Sequence, residues 1–278
     1  MDSNSHRPVS PVDPIAPWLG GKRHLAQHIA GLIGGIPHVT YVEPFIGMAG
    51  VFLRRPHAAP AEVINDINRD LVTLYRVAQR HPAALAECFN QWILASRLAF
   101  DQAKVTPPEI LTDVERAARF LYLQRLGFGG KPRSPTFGVD PKNGSRLRLR
   151  QLIRQIDVLH RRLEDVTIEC LPWFEVIARY DQPGTLFYLD PPYWGGESDY
   201  GKDIFARRDF TRLAEVLRGI EGRFILSIND VPEVRTLFAG FAIAEHRVTY
   251  TIGRHAATES PELIVTDGKG ASAGPLFG

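Results

Sequence analysis

An α/β fold on a mostly parallel sheet is the architecture that the sequence predicts, and three observations carry it. Apolar strands alternate with helical stretches along most of the chain. Two of those strands run into unusual turns. Val39–Val42 leads into Glu43-Pro44-Phe45-Ile46-Gly47-Met48-Ala49-Gly50, and Leu186–Leu189 leads into Asp190-Pro191-Pro192-Tyr193. The last two strands, Ile243–Tyr250 and Glu262–Val265, have no helix between them, as expected of antiparallel strands that close a sheet.

In chain order, Trp18-Leu19-Gly20-Gly21-Lys22-Arg23 precedes a helical pattern, Leu25, Ile29, Leu32 and Ile33. It is no P-loop, because Arg23 stands where that loop needs Ser or Thr and no strand precedes it. What remains is a flexible turn rich in N–H groups, with one cation and one indole, suited to an anionic ligand. After Val39–Val42 and its glycine loop comes the apolar run Val51–Leu53, read as a helix start. Strand, glycine loop and helix bring backbone close to a nucleotide-like ligand. A second strand, Glu62–Ile64, ends at Asn65-Asp66-Ile67-Asn68. An acid there, about 20 residues past the glycine turn, is where ribose hydroxyls are held. The plain alternative for Asp66 is a helix N-cap.

From His81 to Arg150 the alternation breaks. Helical stretches Ala83–Leu98 and Val114–Leu126 flank Pro107-Pro108, and the loop from Gly127 to Ser145 is rich in Gly, Pro and basic residues. This reads as an inserted helical subdomain spanning 81–150. The alternation then resumes: helix Leu149–Leu163, strand Val166–Cys170, helix Trp173–Tyr180, the strand that ends at Asp190, a glycine-rich and mobile segment Gly195–Asp203, helix Asp209–Ile220, strand Phe224–Ile228 and helix Pro232–Phe238. The expected organisation is a disordered 1–14, a main domain from 15–80 and 151–267, the insert 81–150, and a flexible tail 268–278.

Composition narrows the class. At 278 residues the chain can bury a large core, and 23% charged with 44% hydrophobic residues is ordinary for a globular protein. No apolar run approaches the roughly 20 residues that cross a bilayer. Met1 to Pro17 lacks the apolar core of a secretory signal. Two cysteines, Cys88 and Cys170, support neither a disulfide framework nor a zinc site, and nine histidines fall in no metal spacing. A cytoplasmic protein without a metal, monomeric or weakly dimeric, is expected. The net charge of +2 is unevenly spread. Twelve Lys or Arg and two Asp between Arg116 and Arg162 give that segment +10 and leave the rest at −8. Such a block is the footprint of a phosphate backbone, or else a solvated helical face.

Strand, rigid turn and ring make Asp190-Pro191-Pro192-Tyr193 the most informative stretch. Neither proline has an N–H to continue a ladder, so a buried strand delivers a carboxylate and an aromatic ring to one sheet edge. Together with Trp18–Lys22, Tyr41–Gly47, Asn65–Asn68, Arg116–Arg125 and Leu226-Ser227 with Asn229, in this order, it makes the chain resemble the Dam-type (class alpha) DNA adenine-N6 methyltransferases, close to phage and prophage members. The likeness runs from Ile15 to Asp267.

That resemblance implies a Rossmann-like methyltransferase fold, S-adenosylmethionine as cofactor and double-stranded DNA as partner, in the setting of restriction-modification or phage biology. It implies cofactor contacts from Trp18, Gly21 and Lys22, from Glu43, Pro44, Phe45 and Gly47, and from Asp66 and Asp190. Asp190, Pro191, Pro192 and Tyr193 form the implied catalytic tetrad. Asp190 and the Pro191 carbonyl accept the N–H groups of the adenine amine and turn its lone pair towards the methyl group, while Tyr193 stacks on the flipped base. Arg125, Lys131 and Arg133 are the implied DNA contacts in the insert. Two departures stand out. Leu171-Pro172-Trp173 replaces the acid many relatives carry after the third strand. Gly129-Gly130-Lys131-Pro132-Arg133 replaces the Asn-Gly-Leu-x-Arg of GATC readers, so GATC is not predicted. Alternatives are an RNA or protein-glutamine methyltransferase, for which Asn rather than Asp190 is expected, and an idle DNA-binding relative, against which the intact tetrad argues.

Overall fold

A computed structural model describes residues 6–22, 25–92, 95–133, 135–139, 144–197, 204–250 and 258–269. Its centre is a seven-stranded sheet of β2 (Thr40–Glu43), β4 (Ala61–Asn65), β5 (Val166–Glu169), β6 (Thr185–Leu189), β7 (Arg223–Asn229), β8 (Ala242–Tyr250) and β9 (Thr258–Thr266). The strand order is β5-β4-β2-β6-β7-β9-β8. The first five are parallel, and β9 lies antiparallel to both β7 and β8. From β2 the chain moves outward through β4 to β5, then returns to the other side of β2 as β6. The strand order therefore reverses between β2 and β6, which opens a crevice beyond their carboxyl ends.

Alternate side chains explain why both faces are covered. Tyr41, Ile64, Leu186, Tyr188 and Ile225 join one buried cluster, while Val42, Val63, Phe187, Leu189, Phe224 and Leu226 join a second. Successive strand residues point to opposite faces, so each strand supplies both cores. On the first face lie α1 (Ala26–Gly35), α2 (Arg69–Arg80), α5 (Asp113–Leu126) and α6 (Leu149–Leu163); on the second lie α7 (Trp173–Tyr180), α8 (Arg207–Gly219) and α9 (Pro232–Leu237). Each fully buried Phe or Leu contributes about 1.5–3 kcal/mol.

Several expectations change. The helix expected over 83–98 is two, α3 (Pro82–Trp92) and α4 (Arg97–Val105), because the Ser96 side chain accepts the Ala99 N–H and starts a new helix. Val51–Leu53 makes only a 3₁₀ turn, Phe52–Arg54, since Arg55 precedes Pro56 and is extended at φ −68, ψ 132. The lead-in is not disordered from His6 onwards. β1 (Arg7–Pro8) pairs antiparallel with β3 (His57–Ala58), and Val9 and Val12 donate their N–H groups to the carbonyls of Pro56 and Leu53 at 2.9 and 2.8 Å. The non-proline residues between Pro8, Pro11 and Pro14 supply the donors. The helices of 81–150 have no core of their own. Phe89, Phe100, Phe120 and Leu121 belong to the same cluster as Tyr41 and Ile29. Most of the Gly195–Asp203 segment, and all of the tail after Lys269, lie outside the described residues.

Candidate active site

The crevice at the strand reversal is a cavity of about 790 Å³, within the roughly 300–1,000 Å³ of small-molecule sites. Trp18, Gly21 and Lys22 line it from the turn before α1. Glu43, Pro44, Phe45 and Gly47 line it from the end of β2, Asp66 from the end of β4, and Asp190 and Pro192 from the end of β6. Trp18 and Pro192, 174 positions apart in sequence, thus meet where three parallel strands end side by side.

Lys22 is the centre of the polar end. The Gly21 N–H donates to the Trp18 carbonyl at 3.0 Å, so the chain doubles back and turns the lysine inward. Its side chain is 2% exposed, and Nζ lies 2.6 Å from Asp190 Oδ1 and 4.5 Å from the centre of the Tyr193 ring. Burial pushes the Asp190 carboxyl up to about 6, and the Lys22 ammonium holds it from rising further. The Ser227 hydroxyl, 2.9 Å from the Tyr188 hydroxyl, lies 3.4 Å from Asp190 Oδ1. Glu43 is buried and accepts the Tyr41 hydroxyl; burial pushes its carboxyl up to about 8, against that hydrogen bond and Arg55, which pull it down.

Asp66 is not the helix N-cap. Asn68 takes that place, accepting the N–H groups of Asp70 and Leu71. Asp66 instead accepts the Gly47 N–H at 3.1 Å and the Asn68 N–H at 2.9 Å, so it ties the glycine loop to the β4 end. Burial raises its carboxyl to about 6, with these N–H groups opposing the shift. Gly47 sits at φ +48, and a Cβ there would lie 2.6 Å from Trp18 Nε1. Only glycine lets the indole lie against that loop.

The other end of the cavity is apolar. Phe45 meets Phe205 edge-on at 5.8 Å and lies 6.3 Å from Trp173, with Leu171, Pro172 and Phe174 completing the wall. Asn65 holds this wall. Its Nδ2 donates to the Pro44 and Leu171 carbonyls at 2.9 and 3.0 Å, and its Oδ1 accepts the Leu171 N–H at 2.8 Å. Sequence reasoning gave Asn65 no role, although a polar residue closing a buried strand was the available signal.

The basic segment divides in two. Arg125 is not presented as a surface contact. Its guanidinium donates to the Ile15 carbonyl at 2.9 Å and to Gln155 at 3.0 Å, and it borders the cavity. Arg119 donates to the carbonyls of Ala103 and Lys104, and Arg116 pairs with Asp70. Arg162 and Arg55 enclose the buried Glu62. Lys131, Arg133, Arg148, Arg150, Arg154 and Arg161 are exposed, and Lys142 lies outside the described residues. The Gly129-Gly130 turn before Lys131 is attached to the cavity. The Gly130 carbonyl accepts the Leu19 N–H at 3.0 Å, and a Cβ at Gly130, φ +66, would fall 2.7 Å from the Trp18 backbone nitrogen.

Residues 18–252 match the family of D12 class N6 adenine-specific DNA methyltransferases, and the chain belongs to that family. It is an N6-adenine DNA methyltransferase, an enzyme that acts on DNA with a methyl donor. Among its relatives, the type II methyltransferase M1.LlaDCHI of Lactococcus lactis subsp. cremoris is 27% identical, over 91% of this chain and 95% of that one. The retron Ec67 DNA adenine methylase of Escherichia coli is 29% identical, with 92% of each chain covered. The type II methyltransferase M.CviBI of Paramecium bursaria Chlorella virus NC1A is 24% identical over 92% of this chain and 97% of that one. Among the described residues no helix is long and apolar enough to cross a membrane, and no three His, Cys, Asp or Glu are grouped to hold a metal.

Proposed function

We propose that the chain moves the methyl group of S-adenosylmethionine to the N6 amine of an adenine flipped out of double-stranded DNA, with Asp190 at the reacting centre. The carrying observation is the Lys22–Asp190 pair at the strand reversal, a cation and a carboxylate 2.6 Å apart beside the Tyr193 ring. When bound, S-adenosylmethionine supplies an electrophilic methyl group on a sulfonium. The residues present suit it. Lys22 is a buried cation for an amino-acid carboxylate, and Trp18 lies on a glycine loop that tolerates close approach. Asp66 keeps lone pairs for ribose hydroxyls beyond its two N–H donors. Phe45, Trp173 and Phe205 form an apolar slot for an adenine ring, which supports recognition of that ring by packing where Leu171-Pro172 has displaced an acid.

The exocyclic amine of adenine is a weak nucleophile because its lone pair is delocalised into the ring. Asp190 and the Pro191 carbonyl each accept one of its N–H bonds, which draws the nitrogen towards a tetrahedral shape and aims the lone pair. The two prolines fix that geometry in advance. Lys22 keeps Asp190 ionised, as an acceptor must be, and Tyr193 offsets part of the few kcal/mol of unstacking by packing on the base. Lys131 and Arg133 contact the phosphate backbone or base edges, and Arg125 braces the lead-in instead. Asp190→Ala tests the centre. Its methyl transfer, measured as N6-methyladenine by mass spectrometry, should fall by about 10²–10³ or more, with S-adenosylhomocysteine still bound in calorimetry. Undiminished transfer by this variant would refute the mechanism.

A further inference from the structure

The structure assigns a positioning role to Asn229: its side chain stands in for the strand ladder that the two prolines interrupt, and so fixes the Asp190–Tyr193 turn. This role in catalysis rests on the DNA adenine methylation proposed above. β6 and β7 pair in parallel from Leu186↔Arg223 to Leu189↔Leu226. Beyond Leu189 the ladder cannot continue, because Pro191 and Pro192 have no N–H to give. β7 runs on to Asn229, and Ser227 and Asn229, two residues apart, project on the same face. Ser227 stands 3.4 Å from Asp190 Oδ1, at the front of the turn. At its back, Asn229 Oδ1 accepts the Trp194 N–H at 2.8 Å and Nδ2 donates to the Trp194 carbonyl at 3.0 Å.

A carboxamide is chemically a peptide unit, with an acceptor and a donor on one plane. Only one orientation of Asn229 satisfies both Trp194 groups, so the amide is assigned by its partners. Trp194 is held further by Phe210, 5.0 Å away, and by the Arg207 guanidinium 3.9 Å above its ring. The four residues 190–193 therefore span two fixed points, Leu189 in the ladder and Trp194 in the grip of Asn229. Proline fixes φ at two of the four. With both ends held, the Asp190 carboxylate, the Pro191 carbonyl and the Tyr193 ring keep one mutual arrangement. Asn229 does not line the cavity, so it acts through the turn.

Two variants and two readouts test this. Asn229→Ala removes both bonds. Asn229→Asp, of the same size, leaves an acceptor for the Trp194 N–H but sets an oxygen against the Trp194 carbonyl. In the full-length protein both should lower kcat by about 10–100-fold, the scale of a 1 Å misplacement. KM for cofactor and Kd for a DNA duplex should stay within about twofold. Hydrogen exchange of the segment containing the Trp194 N–H should speed up about tenfold or more, a loss of roughly 1.4 kcal/mol of protection. Unchanged exchange in both variants, or kcat and cofactor affinity falling together, would overturn the role of Asn229. Faster exchange in the variants, with no methyl transfer to DNA even by the parent, would contradict the proposed function and with it the catalytic role, while leaving Asn229 as the clasp of the turn.

Discussion

The end of β6 and the basic segment 116–162 are both dense in charge, yet their charges have opposite fates. At the strand end, Asp190 and Lys22 converge on a cavity, and neighbouring residues brace them from several elements. In the basic segment, Arg116, Arg119, Arg125 and Arg162 turn inward to carbonyls, an amide and acids, while Lys131, Arg133, Arg148 and Arg150 face solvent. A +10 segment is therefore no single footprint. Part of it is internal framework, and only the outward part is placed to meet a phosphate backbone.

The contrast between Asp190 and the arginines is broken or sharpened by mutation, from the largest effect downward. The loss expected of Asp190→Ala in methyl transfer comes first. Next is the inward set. Arg162 donates to both oxygens of Glu62, and each side chain is 5% exposed or less. Arg162→Ala leaves Glu62 with Arg55 alone, and should cost about 3–5 kcal/mol in denaturant unfolding. At temperatures where the variant is folded, its affinity for DNA should match the parent's. A stable variant that bound DNA poorly would place Arg162 in the outward set. Smaller still is the outward set. Lys131→Ala and Arg133→Ala should each lower DNA affinity several-fold, reduce the salt slope by about one, and leave unfolding unchanged. An unaltered slope would remove these two from the interface.

What was legible follows from range. α6 and α7 were read to the residue, because an amphipathic pattern lies within the helix itself. That Lys22, Gly47, Asp66 and Asp190 stand at strand ends or in turns was legible, because strand, turn and residue type sit within a few positions of one another; that they line one cavity comes from the fold. The inward turn of Arg125 and Arg162 was not legible, since their partners, Ile15 and Glu62, lie 110 and 100 residues away. β1 is two residues long and has no period to detect; Val9 and Val12 order it through the Pro56 and Leu53 carbonyls. Asn229 stood in a recognised pattern, but its grip on Trp194 depends on the register of β6 against β7, which no local pattern states.

The central claim is that the ion pair of Lys22 and Asp190 is the reacting centre, and the pH dependence of methyl transfer tests it most directly. Asp190 must be ionised to accept the amine, so transfer should be full above the Asp190 pKa and fall as pH drops through about 6. Lys22→Gln removes the cation that favours the carboxylate, which raises that pKa and moves the acid limb to higher pH. The measurement is kcat/KM against pH between about 5 and 9 for both proteins, which reports the groups of the free enzyme. An acid limb near 6 in the parent, displaced upward in Lys22→Gln, is the predicted result. A limb at the same pH in both, or none in the parent, would contradict it.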